Sequence, residues 1–409
     1  MRTYLTHGLF IFFFANKNLA QKGLPKHFVS KRPQVQIVST PQKVNKPLTM
    51  QLHKSVNIAL TFTLSGILNV QASPNISGGV WMNYRYIDDN DRDEETIGDI
   101  ADEALILYVD GEAKKGEGNW SYSAELRIGP GSFTDPDNNS TGDNYTLHKA
   151  WIGFQLSEKN KLLAGKSQVP FGWKTVNFWP GDIFQAGYGD QMDVGLKLIG
   201  DTNSIDYNLA YYHADDWGET STDTVDDNKH WGSSTTYRKV QTVVADVLFP
   251  LNKQHSLGLS AQAGKLQDLT DVDPSNPVDG DHSAFVLYYH GQFGNFYTKA
   301  ELIQTSRELP EDYRIAESLP DEIENRRAAI ELGYKTGNWF YYLDASWADT
   351  DTEGNEADVI SAYAPGVSYD YGPGWIYLEY LTQDGYIDRT GQINEGDFSA
   401  LYFSIDFYF

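Results

Sequence analysis

The 409-residue sequence lacks cysteine altogether. The chain therefore has no disulfide, no thiolate nucleophile and no cysteine-ligated zinc or iron–sulfur cluster. It also lacks any run of about 18 consecutive apolar residues, which is the length that a membrane-spanning helix needs. Basic residues are scarce, because 32 Lys and Arg stand against 56 Asp and Glu, for a formal charge of −24. Such acidity argues against nucleic acid as a partner, since phosphates bind to basic surfaces.

The charge divides the chain into two segments. Residues 1–72 contain nine Lys and Arg and no acidic residue, and the remainder carries 23 basic against 56 acidic residues, a net charge of −33. Residues 50–72 have a short basic start, an apolar stretch and small residues at Val70 and Ala72, which is typical of a secretory signal peptide cleaved before Ser73. We interpret residues 1–49 as an upstream extension outside the mature protein, with Met1 as the alternative start to Met50.

The mature segment, residues 73–409, shows a repeated pattern of period two, which is typical of β-strands. In one example Trp120, Tyr122, Ala124 and Leu126 alternate with polar residues that include Glu125 and Arg127. Sixteen such segments begin near the following residues: Asn75, Ala101, Asn119, Tyr145, Lys161, Gln191, Ser204, Tyr237, Gln254, His282, Asn295, Arg327, Asn338, Val359, Gly374 and Phe398.

Short turns and long acidic loops alternate between these segments. The long loops are predicted at 87–100, 129–144, 166–190, 213–236, 265–281, 305–326, 348–358 and 382–397. A soluble sheet would have to cover its apolar face with a second layer, and no helical pattern of useful length is present. A closed barrel in lipid removes the edge strands and satisfies the backbone hydrogen bonds. We therefore predict an all-β fold, a 16-stranded antiparallel transmembrane β-barrel with short periplasmic turns and long extracellular loops; a soluble β-sandwich or propeller is the alternative.

Aromatic residues and the carboxy terminus favour the membrane barrel. Many Trp and Tyr residues lie at strand ends, where rings prefer the headgroup level: Trp81, Tyr84, Tyr86, Trp120, Tyr211, Tyr334, Trp339, Trp347 and Trp375. A last strand whose apolar residues alternate back from Phe409 resembles the insertion signal of Gram-negative outer-membrane proteins. These features predict export to the cell outer membrane, with the lipid bilayer and lipopolysaccharide as partners.

The stretch from Ala150 to Trp173, with Pro170-Phe171-Gly172 near its end, resembles the phosphate-selective porin O and P family. The resemblance implies a passive channel, usually a homotrimer, whose third long loop folds into the lumen. That loop is 166–190 here, and it is rich in Gly, Pro and aromatic residues. We expect the pore constriction to involve Lys166, Gln168, Lys174 and Asp182.

The alternation also predicts which charged side chains line the pore: Arg85, Glu125, Arg127, Lys149, Asp193, Lys197, Lys299 and Glu301. The sign of such a lining sets the preferred ion, because field lines focus in a narrow aqueous pore. Anion-selective family members carry mainly Lys and Arg there, whereas acids compete with them in this chain. We therefore predict an outer-membrane porin, a weakly selective diffusion channel for small hydrophilic solutes and ions, with an anion- or phosphate-selective channel as the alternative.

The sequence gives little support for catalysis or for calcium binding. No Gly-x-Ser-x-Gly elbow lies near a histidine, and His213 beside Asp215 is the closest approach to a catalytic cluster. Two acidic loops, at 135–141 and 349–354, lack the Glu that closes a calcium loop. We predict no catalytic residue, no metal and no cofactor; a structural or adhesive outer-membrane barrel is the alternative of another class.

Overall fold

The structure is a computed structural model that describes most of the mature segment. The described residues are 74–88, 97–113, 118–129, 145–172, 192–202, 204–214, 225–226, 230–231, 237–270, 272–273, 275–387 and 390–409. The predicted signal peptide, the upstream extension and the constriction residues Lys174 and Asp182 lie outside these ranges.

Of the eighteen strands in the described residues, sixteen form one closed antiparallel barrel. Each strand pairs with its neighbour along the chain, except that β7 pairs with β10 because β8 and β9 form a separate two-stranded ribbon between them. The strands are β1 (Asn75–Asp88), β2 (Asp99–Glu112), β3 (Trp120–Ile128), β4 (Tyr145–Gln155), β5 (Asn160–Gln168), β6 (Met192–Asp201), β7 (Asp206–Ala214), β8 (Val225–Asp226), β9 (His230–Trp231), β10 (Tyr237–Pro250), β11 (His255–Asp268), β12 (Val278–Phe293), β13 (Phe296–Glu308), β14 (Glu322–Thr336), β15 (Trp339–Thr350), β16 (Ile360–Asp370), β17 (Trp375–Ile387) and β18 (Ile393–Tyr408).

The two faces of the sheet show an inverted distribution of polarity. Leu332 and Leu343 are register partners on β14 and β15 and are 47% and 39% exposed. The adjacent partners Glu331 and Asp344 point to the opposite face and are 2% and 7% exposed. Since a one-residue slip would exchange the two faces, this alternation fixes the register of the strands. An exposed apolar exterior around a polar interior is the arrangement of a barrel surrounded by lipid.

The barrel closes where the two ends of the described chain meet. β1 and β18 pair in register from Gly79 opposite Tyr408 to Asp88 opposite Ser399. The Gly78 N–H donates to the Phe409 carbonyl at 3.0 Å, and the Phe409 N–H donates to the Gly78 carbonyl at 2.9 Å. Closure leaves no edge strand in the barrel, so no row of backbone donors and acceptors is left for another chain to pair with.

Aromatic residues form part of a girdle at the short-turn end of the exterior. Phe296 and Tyr334 are neighbours with ring centroids 4.9 Å apart, and Trp339 and Tyr369 lie 4.6 Å apart. Trp81 differs from the expectation for strand-end aromatics, because it is buried opposite Asp406 on the inner face. Trp81 lies two residues before Asn83, another buried inner residue, so both side chains point to the inner face.

The predicted strand starts agree closely with the structure over most of the chain. Those at Asn75, Tyr145 and Tyr237 coincide with the observed starts, whereas β12, β14 and β18 begin four or five residues earlier than predicted. Most of the added residues are polar or glycine, such as Asp279 and Glu324. Backbone pairing continues there beyond the apolar band, so alternation of hydrophobicity no longer marks the strand.

Two of the segments predicted as loops contain separate secondary-structure elements. The segment 305–326 includes α1 (Glu311–Glu317), and 213–236 includes β8 and β9. The helix has only seven residues and buries Tyr313, too little to give a recognisable helical period. Within the described residues, no helix is long and apolar enough to cross a membrane.

Candidate channel and its lining

The segment after β5 turns into the barrel and packs against the inner wall. Val169 and Phe171 are 4% and 2% exposed. They join a buried apolar cluster formed by inward-facing residues of five strands: Ala210, Tyr212, Val244, Ala284, Val286, Tyr288, Ile303 and Ala329. We call this group the loop seat. The described start of the predicted constriction loop therefore lies inside the barrel, on the wall formed by β7 to β14.

The backbone conformation at residue 172 accounts for the glycine at the last position of the Pro-Phe-Gly motif. Its φ of +64° lies in the left-handed region, which favours glycine. Its N–H donates to the Ser260 Oγ on β11 at 2.9 Å. The motif thus combines an apolar anchor at Phe171 with a turn and a polar contact at Gly172.

The base of this segment is held by a predicted pore residue. Lys197 of β6 is buried and donates from Nζ to the carbonyl oxygen of Gln168, the last residue of β5, at 2.6 Å. Lys166 is also buried, and the neighbouring Ser167 is buried as well, so the strand loses its regular alternation after Gly165, where φ is +123°. Asp193 is buried at the start of β6. The other two expected constriction residues, Lys174 and Asp182, belong to the part of the loop outside the described ranges.

Glu125 and Arg127 lie together on the inner face of β3. The Arg127 Nε donates to Glu125 Oε1 at 2.8 Å, and the guanidinium lies 5.4 Å from the centre of the Trp81 ring. Both charged side chains are at least nine-tenths buried. On the next strand, Lys149 Nζ lies 5.7 Å from the Tyr108 ring. This part of the wall combines charges of both signs with aromatic faces.

Two further predicted residues, Lys299 and Glu301 of β13, pair with charges on β14. Lys299 Nζ is 3.3 Å from Glu331 Oε1, and Arg327 Nη1 contacts Glu301 Oε1. Both carboxylates are buried, which requires such partners because an isolated buried charge is very costly. Arg327 is not among the predicted lining residues, although its inward parity with Glu331 is visible in the sequence.

Arg85 of β1 is half-buried and lies opposite Tyr402 of β18. Tyr402 is in turn opposite Glu379 of β17, which accepts a hydrogen bond from Tyr342 Oη at 2.7 Å. This row crosses five strands of the wall, from β1 through β18, β17 and β16 to β15. Basic, phenolic and carboxylate groups are therefore placed at one level of the inner surface.

Sequence reasoning missed a polar hub below the loop seat. Asp246 of β10 is buried and accepts hydrogen bonds from Ser260 Oγ at 2.7 Å, Tyr288 Oη at 2.8 Å and Asn208 Nδ2 at 3.1 Å. The available signal was a single carboxylate between Val244 and Leu248, in the otherwise apolar stretch 243–250 of the strand.

It also missed the structured outer mouth on the same side. Tyr313 lies in α1, and Leu309 lies just before the helix. Both pack in a buried cluster with Tyr237, Leu266 and Ile323 on the inner face of the rim. Arg307 Nη1 donates a hydrogen bond to Tyr237 Oη. Lys239 of β10 and Arg327 of β14 are also buried. The residues between β13 and β14 thus pack against the inner wall at the rim of the barrel.

The inner wall is not uniformly polar. A second apolar cluster, with Tyr377, Tyr386 and Phe398 packed against it, lies on β1 and β16 to β18: Ile87, Ala362, Ala364, Leu381, Ala400 and Tyr402. Inward parity alone does not set polarity, because inner residues also pack against one another. Nor do the described residues contain a group of three His, Asp or Glu side chains placed to hold a metal.

A closed barrel of sixteen strands with a lipid-type exterior, a charged inner wall and a loop segment folded inside defines a porin. The family model of the phosphate-selective porin O and P family matches residues 75–319. The match spans more than half of the chain, and the protein belongs to this family of outer-membrane channels.

Solved structures with the same fold include three bacterial porins and channels. OmpT of Vibrio cholerae in its trimer form is 11% identical, with a TM-score of 0.56 over 83% of this chain and 99% of that chain. DcaP of Acinetobacter baumannii is 11% identical, with a TM-score of 0.55 over 83% and 98% of the two chains. An anion-selective porin from Comamonas acidovorans is 12% identical, with a TM-score of 0.54 over 83% and 100%. At these identities the likeness establishes the fold. No curated protein matches the chain.

Proposed function

We propose that this porin is a passive diffusion channel for small hydrophilic solutes and ions, with a weak preference for cations. The observation that carries the proposal is the near balance of buried charge. Among the described residues nine acidic and six basic Asp, Glu, Lys and Arg side chains are buried. Several of them form pairs of opposite sign, such as Glu125 with Arg127. A paired charge contributes little net field to a pore, so strong selectivity for one sign is not expected.

One quarter of the wall favours cations. From Thr336 to Phe409 the chain has thirteen Asp and Glu residues and a single basic residue, Arg389. This stretch includes β15 to β18, whose buried charged side chains are Asp344, Glu379 and Asp406. With no basic side chain in these four strands, this quarter of the lumen carries a negative potential that attracts cations.

The second candidate is an anion-selective channel, and the opposite side of the barrel supports it. Lys239, Arg307 and Arg327 are buried on β10, β13 and β14, the side of the barrel on which α1 packs. The family is described as phosphate-selective, and the similar porin from Comamonas acidovorans is anion-selective. If solutes pass along this wall, its basic groups and not the acidic quarter set the selectivity.

Reversal potentials across a planar bilayer distinguish the two candidates. Purified protein in a tenfold KCl gradient should give discrete conductance steps and a small reversal potential with the sign of a cation preference. A reversal potential of the opposite sign would support the anion channel. Absence of conductance steps from correctly folded barrels would contradict the channel proposal and favour a structural or adhesive role.

We also propose that the channel is a homotrimer and that it carries no catalytic residue. We propose further that residues 50–72 direct its export and are then cleaved, and that the mature protein lies in the outer membrane beside lipopolysaccharide. OmpT of Vibrio cholerae has a trimer form, which supports the oligomeric state. Residues 50–72 have the composition of a signal peptide. Light scattering of the protein in detergent measures the number of subunits, and the intact mass of protein from outer membranes shows whether the chain begins at Ser73.

A further inference from the structure

We propose that Asp246 is a positioning residue that fixes the Pro170-Phe171-Gly172 segment on the inner wall and thereby sets the width of the channel. The second half of this proposal rests on the proposed channel function. The first half concerns only the placement of the segment and can be tested without conductance.

The segment is seated by apolar contacts that do not fix its orientation. Phe171 and Val169 lie against side chains of β7, β10, β12, β13 and β14, all of them Ala, Val, Ile or Tyr. Burial of apolar surface is strong but non-directional. A directional contact is needed to hold the backbone at one height on the wall, and β11 provides it between the apolar strands.

That contact is the hydrogen bond from the Gly172 N–H to Ser260 Oγ, at 2.9 Å. A serine hydroxyl has one proton and two lone pairs, so it can accept a hydrogen bond from the Gly172 N–H and donate another to a different group. Asp246, directly opposite in register, accepts a hydrogen bond from the Ser260 hydroxyl at 2.7 Å. Because a carboxylate only accepts, Asp246 orients the Ser260 hydroxyl with its lone pairs toward the segment.

Asp246 is itself held in place by two other donors. Tyr288 Oη and Asn208 Nδ2 reach it from β12 and β7, on either side of the β10–β11 pair. The carboxylate therefore links three strands to Ser260, and through Ser260 to the loop segment. Such a hub explains why a charged residue occupies a buried position between Val244 and Leu248, where an apolar side chain would otherwise be expected.

The absence of cysteine from the chain permits a clean accessibility test. Val169 is buried beside Phe171, so a Val169→Cys variant has a single thiol protected by the seat. In proteoliposomes, the rate of its reaction with a hydrophilic maleimide reports how often the segment leaves the wall. Adding Ser260→Ala should raise that rate about two- to tenfold, the effect of losing one hydrogen bond, and Asp246→Ala should raise it further.

Ser404→Ala is the matched control, because Ser404 is a buried serine on the inner face of β18, away from the seat. Heat-modifiable migration in gels shows whether each variant still forms a barrel. Equal labelling rates in the Ser260→Ala and Ser404→Ala backgrounds would overturn the proposal, and the small Ser260 change keeps the test valid if Asp246→Ala does not fold.

Channel width is measured separately, from single-channel conductance and from the largest neutral sugar that enters liposomes. Both should increase in Ser260→Ala and Asp246→Ala. Faster labelling with unchanged conductance and sugar size would overturn the claim on width. Failure of wild-type protein to conduct would instead refute the proposed channel function, while the labelling result would still decide whether Asp246 positions the segment.

Discussion

The Tyr342 hydroxyl of β15 donates a hydrogen bond to the Glu379 carboxylate of β17, two strands away. The tyrosine ring crosses Gly366 of the strand between them. A Cβ atom at Gly366 would clash with Tyr342 Cζ, so the ring can cross only because this position is glycine. Tyr288, Gly258 and Asp246 repeat the arrangement on β12, β11 and β10. At both places a glycine on the inner wall leaves room for a tyrosine ring that reaches a buried carboxylate.

Gly366→Ala should therefore destabilise the barrel by about 1 to 3 kcal/mol, the usual cost of forcing an extra atom into a packed site. Urea unfolding in lipid, followed by tryptophan fluorescence, measures the change. Gly396→Ala is the control, because nothing lies within 4 Å of its Cβ position. Equal stability of the two variants would show that the ring can move without cost.

Phe171→Ala should enlarge the channel. The substitution removes a large side chain that is 2% exposed in the loop seat, which typically costs about 3 to 5 kcal/mol of packing free energy. That loss falls on the loop segment, so the segment should leave the wall while the barrel stays folded. Single-channel conductance measures the effect, and Phe171→Leu should lie between the variant and the wild type. Unchanged conductance in Phe171→Ala would mean that the described segment does not limit the pore.

Arg327→Gln should increase the preference for cations, because it replaces the positive charge beside the buried Glu301 carboxylate with a neutral amide. Glu301→Gln should shift the reversal potential in the opposite direction. Removing either partner should also lower the free energy of unfolding, by up to about 3 to 5 kcal/mol, since a buried charge loses a partner of opposite sign.

Lys159→Gln is the control for Arg327→Gln and Glu301→Gln. Its partner Asp201 lies 3.6 Å away and both side chains are about half exposed, so the loss should be within about 1 kcal/mol. If the reversal potential did not move in either buried-pair variant, the pair would lie away from the ion path.

Deletion of Phe409 should reduce the yield of folded barrel. It removes two backbone hydrogen bonds to Gly78 that close the β1–β18 junction, together with an exposed aromatic ring at the short-turn end. Phe409→Trp keeps the backbone bonds and an aromatic side chain and should fold normally. Heat-modifiable gel migration after refolding into lipid measures the folded fraction. Equal folding of the deletion variant would show that the remaining β1–β18 ladder closes the barrel alone.

The strand count and the two faces of the sheet follow from the sequence alone. Because side chains alternate across a strand, the order of apolar residues such as Leu332 and charged residues such as Glu331 is enough to identify the outer and inner faces. Strand starts above the apolar band, as at Val278 in β12, are not marked in this way, because backbone pairing continues there without alternation of hydrophobicity.

Contacts between distant segments were decided only by the tertiary structure. The Pro-Phe-Gly motif at 170–172 indicates an inward loop, but its seat comes from strands much further along the chain, from Ala210 to Ala329. Asp246 becomes a hub only when barrel closure brings Asn208, Ser260 and Tyr288 together. Period two assigns a side chain to a face, but only closure and strand register determine which side chains on that face meet.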